Sequence, residues 1–265
     1  MNNSKKGLAI IVTLAIVLIT VFTFGILRDR KISAKNREDY KAWIEGTVET
    51  SNQKEEIVES VVEDTEAKGE AEELNFYGKL KNKKPVRVLI LGDGLALSQG
   101  RNTDNGIWDQ GVASFIQSTY GSTVELKSLA QNGAASAVGY NVVKNNDISN
   151  YDFIITCYGQ NDNNAAVNID QFRTNYDSII KEIKAKNPNG TIVPILPSTL
   201  TTDNRYRTTI QAIATEHGLQ VADTKTTFIN SGIPEGTLSN GVLPNDKGYQ
   251  LYTETVGNVI KNGVK

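Results

Sequence analysis

The chain has 265 residues and a formal net charge of -2, with a pI near 5.6, so nothing global argues for nucleic-acid binding. Its single cysteine, Cys157, excludes an internal disulfide and any cysteine-built metal site. Its single histidine, His217, excludes a histidine cluster and leaves one candidate for a histidine base.

After a tail of residues 1–6, residues 7–27 carry no charge and are rich in Ile, Val and Leu. As a helix this run is long enough to cross a hydrocarbon core of about 30 Å. It reads as a single-pass membrane anchor; a cleaved signal peptide is the alternative, but the run is long for one and no small-residue cleavage site follows it. Lys5 and Lys6 precede the run, whereas Arg28, Arg30, Lys31, Lys35, Arg37 and Lys41 follow it, and a strict positive-inside count would leave the large domain in the cytoplasm. A short basic tail ahead of an apolar run is nonetheless how signal-anchors begin, and the C-terminal domain is expected outside the cell.

Residues 28–84 turn polar and acidic, with Glu55, Glu56, Glu59, Glu63, Asp64 and Glu66 among the acidic side chains. This composition reads as a solvated linker or stalk without a core of its own. From Pro85 to Lys265 aliphatic runs alternate with amphipathic stretches. Strands are expected at 86–91, 123–129, 152–157, 191–196 and 219–222, and helices at 107–120, 139–144, 169–186, 204–217 and 247–261. Such alternation implies a parallel sheet covered on both faces, and about 180 residues suffice for one such domain.

The first strand, V-R-V-L-I-L, runs into G-D-G-L at 92–95, where an open α/β sheet places its ligand crevice. Further blocks follow the next strands: A-Q-N-G-A-A-S at 130–136, G-Q-N-D at 159–162 and N-G-V-L-P-N-D-K-G at 240–248. In order and placement these resemble the four conserved blocks of the SGNH hydrolases, the GDSL-type esterases and lipases. The resemblance extends from Val86 to about Val264. It implies a three-layer α/β/α, flavodoxin-like fold with a five-stranded parallel sheet, here preceded by a transmembrane helix and an acidic linker.

The resemblance also implies where the chemistry would sit. In that family a serine attacks an ester carbonyl, a histidine takes its proton, an aspartate orients the histidine, and backbone and asparagine N–H groups stabilise the oxyanion. Carried onto this sequence, the three triad positions hold Gly94, Asn240 and Leu243, while Gly133 and Asn161 stand at the oxyanion positions. No catalytic residue is therefore assigned. A residual pocket, floored by Gly94 and walled by Leu243, is expected to be wider and more apolar than an active one, with Asp93, Gly94, Gly133, Asn161 and Leu243 as its ligand-binding candidates. No metal or cofactor is expected.

Other residues give no substitute triad. His217 precedes Gly218 and the last strand, so it belongs at the amino edge of the sheet, roughly 17 to 20 Å from the crevice by strand length. Ser98 reads as a loop or capping residue, and Cys157 as a small buried hydrophobe. Asp93 and Asp162 read as carboxylates bracing loops. Arg101, Trp108, Arg205, Tyr206 and Arg207 fall near the same rim. Gly92-x-Gly94 resembles the start of a dinucleotide-binding fingerprint, but Leu97 replaces its third glycine and no acidic residue closes the second strand.

The expected function is accordingly that of a membrane-anchored pseudo-esterase that binds an acylated cell-envelope glycan or serves cell-wall or polysaccharide metabolism. That ligand is implied by the family, not by these residues. The alternatives are an active esterase or acyltransferase with a non-standard nucleophile, and a scaffold subunit docking in a membrane complex.

Overall fold

The computed structural model describes residues 74–198 and 205–265. The anchor expected at 7–27 and most of the linker lie outside the described residues; among those described, no helix is long and apolar enough to cross a membrane.

The sheet is built from β1 (Val86–Gly92), β2 (Val124–Ser128), β3 (Phe153–Cys157), β4 (Thr191–Leu196) and β5 (Ala222–Asp223) in the order β2-β1-β3-β4-β5. All four pairings are parallel. β1 and β3 are largely apolar and almost wholly buried, as central strands covered on both faces must be. β2, at one edge, alternates half-buried with exposed residues. β5 is shorter than expected because the Leu219 N–H is taken by Ala214 O, closing the preceding helix instead of entering the ladder. Pro194 is tolerated inside β4 because β5 pairs only with Ile195 and Leu196, so the N–H it lacks is not missed on that side.

Helices cover both faces and divide the core into two clusters. One contains Val88, Ile90, Trp108, Val112, Ile155, Tyr252 and Val256, joining the sheet to α2 (Trp108–Tyr120) and α8 (Asp246–Val264). The other contains Leu89, Leu91, Ile154, Tyr176, Ile180 and Ile210, joining it to α3 (Ser136–Asn145), α5 (Ile169–Lys186) and α6 (Arg205–Glu216). This is the three-layer arrangement expected. Two short helices escape the periodicity argument because each is little more than one turn or two: α4 (Gln160–Asn164) after β3, and α7 (Thr224–Asn230) after β5.

The linker composition ends too late as a guide. Phe76–Lys81 form a helix, α1, capped by Asn75, whose side chain accepts the Gly78 N–H at 2.9 Å. Phe76 and Leu80, one turn apart, are each only 1% exposed, and the Phe76 ring stacks on Phe153 at 4.4 Å between centroids. Phe76 and Leu80, with Tyr77 packed beside them, are too few among lysines and asparagines to register as an amphipathic pattern, yet they anchor one short helix on the core.

Candidate functional site

The blocks converge at the carboxyl end of the sheet on either side of β1 and β3, where the strand order reverses direction and open α/β sheets form their crevice. β1 ends at Gly92, where close approach forbids a side chain: a Cβ there would lie 2.5 Å from both Ala96 Cβ and Cys157 O. Asp93 follows, fully buried. Its Oδ1 accepts the Leu95 N–H at 2.9 Å and its Oδ2 the Asn161 N–H at 3.3 Å, so one carboxylate ties the first block to the third. Burial pushes its pKa up to about 7, against the pull of those N–H donors.

Asp162 makes the corresponding tie between the second and third blocks. Its carboxylate accepts the Ser136 N–H at 3.0 and 2.9 Å and the Ser136 hydroxyl at 2.6 Å. That explains why α3 begins at Ser136, three residues before the expected start: Ala135 offers no side-chain cap, and the cap arrives from 26 residues away. α2 is capped in the same remote manner, by Ser98 Oγ accepting the Trp108 N–H at 3.2 Å. Ser98 is completely buried and holds a left-handed backbone, φ 56°. It is a capping residue, as its sequence position implied.

Gly94 is buried beneath Gln99. A Cβ on Gly94 would overlap the Gln99 Oε1 and stand 2.7 Å from its Cδ, so the Gln99 carboxamide fills the space that a serine side chain at 94 would take. The Gln99 backbone is fixed from both sides, its N–H donating to Gly94 O at 2.9 Å and its carbonyl accepting the Tyr249 hydroxyl at 2.5 Å.

Asn240 lies on the hairpin of β6 (Ser239–Asn240) and β7 (Leu243–Pro244), directly across from Leu243. Its Nδ2 donates to Gly100 O at 2.7 Å and Asn102 Oδ1 at 2.8 Å. A carboxylate at 240 would present oxygen to two oxygens. Leu243 packs on the core and against Gly100, whose Cβ, were there one, would meet Leu243 Cβ at 2.6 Å. Asp246 completes the closure by accepting the Asn102 and Thr103 N–H groups and the Thr103 hydroxyl.

Of the five residues expected to line a residual pocket, three are engaged in packing. Asp93 and Gly94 are buried, and Leu243 is spent on packing, because the loop at 98–104 is latched onto the hairpin and the start of α8. Gly133 is exposed with φ 75°, and Asn161 is half-buried on α4 with no side-chain hydrogen bond among the described residues. Two cavities open beside these loops. One, of about 320 Å³, is lined by 98–104; the other, of about 360 Å³, lies between α4, α7 and the hairpin. Neither is lined by Gly94, Gly133 or Leu243. The second cavity was missed in the sequence, although G-Q-N-D-N-N at 159–164 concentrates side-chain amides just where a strand ends.

Three of the rim residues make structural contacts. Trp108 Nε1 donates to Leu95 O, the Tyr206 hydroxyl to Val167 O, and Arg207 bridges Leu196 O, Pro197 O and Asp223. His217, after α6, pairs its Nε2 with Asp177 at 2.7 Å, while its carbonyl accepts Lys184 Nζ from the last turn of α5. Both helices run back to the amino edge there, so the one imidazole of the chain is far from the crevice. Cys157 is fully buried, its thiol pushed up by burial and by Asp93, which opposes thiolate formation. Among the described residues no group of His, Cys, Asp and Glu could hold a metal ion.

The model of the GDSL-like lipase/acylhydrolase family matches residues 90–251. No curated protein matches the chain. Among solved structures, a two-domain esterase active on acetylated mannans superposes with a TM-score of 0.60 at 13% identity, over 71% of this chain and 51% of that one, so the chain spans about half its length. An acetylxylan esterase from Geobacillus stearothermophilus gives 0.56 at 15% identity, over 68% of this chain and 96% of that one. A lipolytic G-D-S-L family protein from Veillonella parvula gives 0.54 at 17%, over 66% and 98%. At these identities the likeness is one of fold.

Proposed function

Because the chain belongs to the GDSL-like lipase/acylhydrolase family, we propose that it is a catalytically silent member, held at the membrane by residues 7–27, that binds an acylated cell-envelope glycan without cleaving its ester. The observation that carries the reading is the Gln99 carboxamide lying over Gly94, in the space a nucleophile would need. The rest of the neighbourhood supports it. Asn240 uses its amide as a latch, Leu243 has no proton-accepting atom, and His217 is engaged by Asp177 at the other end of the sheet. Ser98, after the first block, and Ser136, at the end of the second, are buried and bonded to the Trp108 N–H and the Asp162 carboxylate. In a serine hydrolase, removing the nucleophile or the base costs about six orders of magnitude in turnover. The glycan half of the reading is supported by the neighbours named as esterases of acetylated mannans and acetylxylan.

The test is hydrolysis of p-nitrophenyl acetate and butyrate by the full chain in detergent micelles. Beside it run a Gly94→Ser, Asn240→Asp, Leu243→His variant and the same variant carrying Gln99→Ala. The parent is expected at the buffer rate, with turnover appearing in the fourfold variant above the threefold one. Turnover by the parent, reproduced in independent preparations, overturns the proposal.

A further inference from the structure

The cavity between α4, α7 and the hairpin sets neutral polar side chains against apolar ones. Gln160, Asn163 and Asn164 line it from α4 and Ser239 from the hairpin, facing the apolar surfaces of Phe228 and Val242. Gln160 Nε2 donates to Asn164 Oδ1 at 3.0 Å, which sets these two carboxamides in register one helical turn apart. Asn163 makes no side-chain hydrogen bond among the described residues. The one charged residue of the lining, Glu235, is paired with Lys225 at 3.6 Å. Val242, at the mouth, is 67% exposed.

This lining selects a ligand class by elimination. Among the described residues of the walls, a charged ligand would find no free counter-charge. A fatty acyl chain would strip water from the Asn163 carboxamide without replacing its hydrogen bonds, a penalty of roughly 1–3 kcal/mol by protein mutational data. Carboxamides both donate and accept, as hydroxyl groups do, so a ring of vicinal hydroxyls satisfies them in both senses. The C–H face of such a ring suits Phe228 and Val242. At about 360 Å³ the cavity falls at the low end of the ~300–1,000 Å³ typical of small-ligand sites.

We infer that this cavity is a saccharide subsite that takes a neutral sugar residue through its hydroxyls, and that recognition there does not require the acyl group. The inference rests on the glycan-binding half of the reading above and is independent of catalytic silence. It places the sugar beside the expected oxyanion position: α4 carries both Asn161 and the amides of the cavity wall.

The experiment is calorimetric titration of the full chain in micelles with mannopentaose and xylopentaose, each unsubstituted and O-acetylated, and with decanoate. Expected is saturable binding of at least one unsubstituted oligosaccharide, within about threefold of its acetylated form, and none of decanoate. Asn163→Ala, which removes a side chain with no hydrogen-bond partner among the described residues, is expected to spare the fold and weaken binding roughly tenfold, as for loss of one hydrogen bond. Asn163→Ala with Asn164→Ala is expected to abolish it, with thermal melting confirming a folded protein. Absence of saturable binding, binding of the acetylated forms or decanoate alone, or affinity unchanged in Asn163→Ala overturns the inference. Esterase turnover by the parent would instead remove catalytic silence and leave the subsite standing.

Discussion

Asp93 illustrates how much one residue can fix and what it costs. Its carboxylate is enclosed at the end of β1 and joins two loops through the Leu95 and Asn161 N–H groups. Burial opposes its charge strongly enough to raise its pKa from 3.8 to about 7. The native state therefore holds this proton through a pH range in which the unfolded chain has lost it, and stability falls as pH rises from about 4 to about 7. Above that the penalty is constant, on the order of 4 kcal/mol. In Asp93→Asn the changed hydrogen bonding adds an offset that does not vary with pH. The stability of the parent relative to this variant, from urea denaturation, is expected to decline between pH 5 and 7 and then level off. A difference that is flat across this range would show that Asp93 does not titrate near 7. In sequence, Asp93 was legible as a brace from its place in the motif; its pKa was not, because the groups that bury it come from β3 and α4.

At the scale of elements, the loop at 98–104 behaves as a strap fastened at Asn240, Asp246 and Tyr249. The fastening uses the position where the family resemblance implies a triad aspartate. Asn240→Asp replaces a donor facing Gly100 O and Asn102 Oδ1 with an acceptor, and a destabilisation of about 1–2 kcal/mol is expected at pH 7. A protonated Asp can donate again, so the defect relative to the parent should shrink below about pH 4. Chemical denaturation at pH 7 and pH 3 checks both parts, and a defect of equal size at the two values would assign the loss to something other than the missing donor. The motifs at 92–95, 130–136, 159–162 and 240–248 placed these loops correctly in the sequence. What they did not convey was the strap. A glycine at 94 and a leucine at 243 reduce bulk and polarity locally, which suggests a wider pocket. The filling group, Gln99, lies outside every motif, and the bonds that hold the strap join residues about 140 positions apart.

For the whole molecule, the doubly wound sheet follows from the alternation of aliphatic and amphipathic runs, and the layers from strands that are apolar on both faces. The amino-terminal boundary does not follow, because composition judges a segment by its average and α1 is held by a few side chains, Phe76, Tyr77 and Leu80 foremost. Phe76 fills a place in the core beside Phe153 and Leu80 is equally buried, so the domain needs residues that read as linker. Deleting a buried phenylalanine side chain costs about 3–5 kcal/mol, and a leucine about 2–5. Against a total stability of roughly 5–15 kcal/mol, losing both is close to unfolding. A chain cut to begin at Pro85 is therefore expected to lose cooperative thermal unfolding, whereas one beginning at Glu70 retains α1 with its Asn75 cap and should melt sharply. Circular dichroism melts of the two, with Phe76→Ala in the longer chain as the intermediate case, order the three. Similar melting temperatures for both truncated chains would mean that α1 sits on the core without stabilising it.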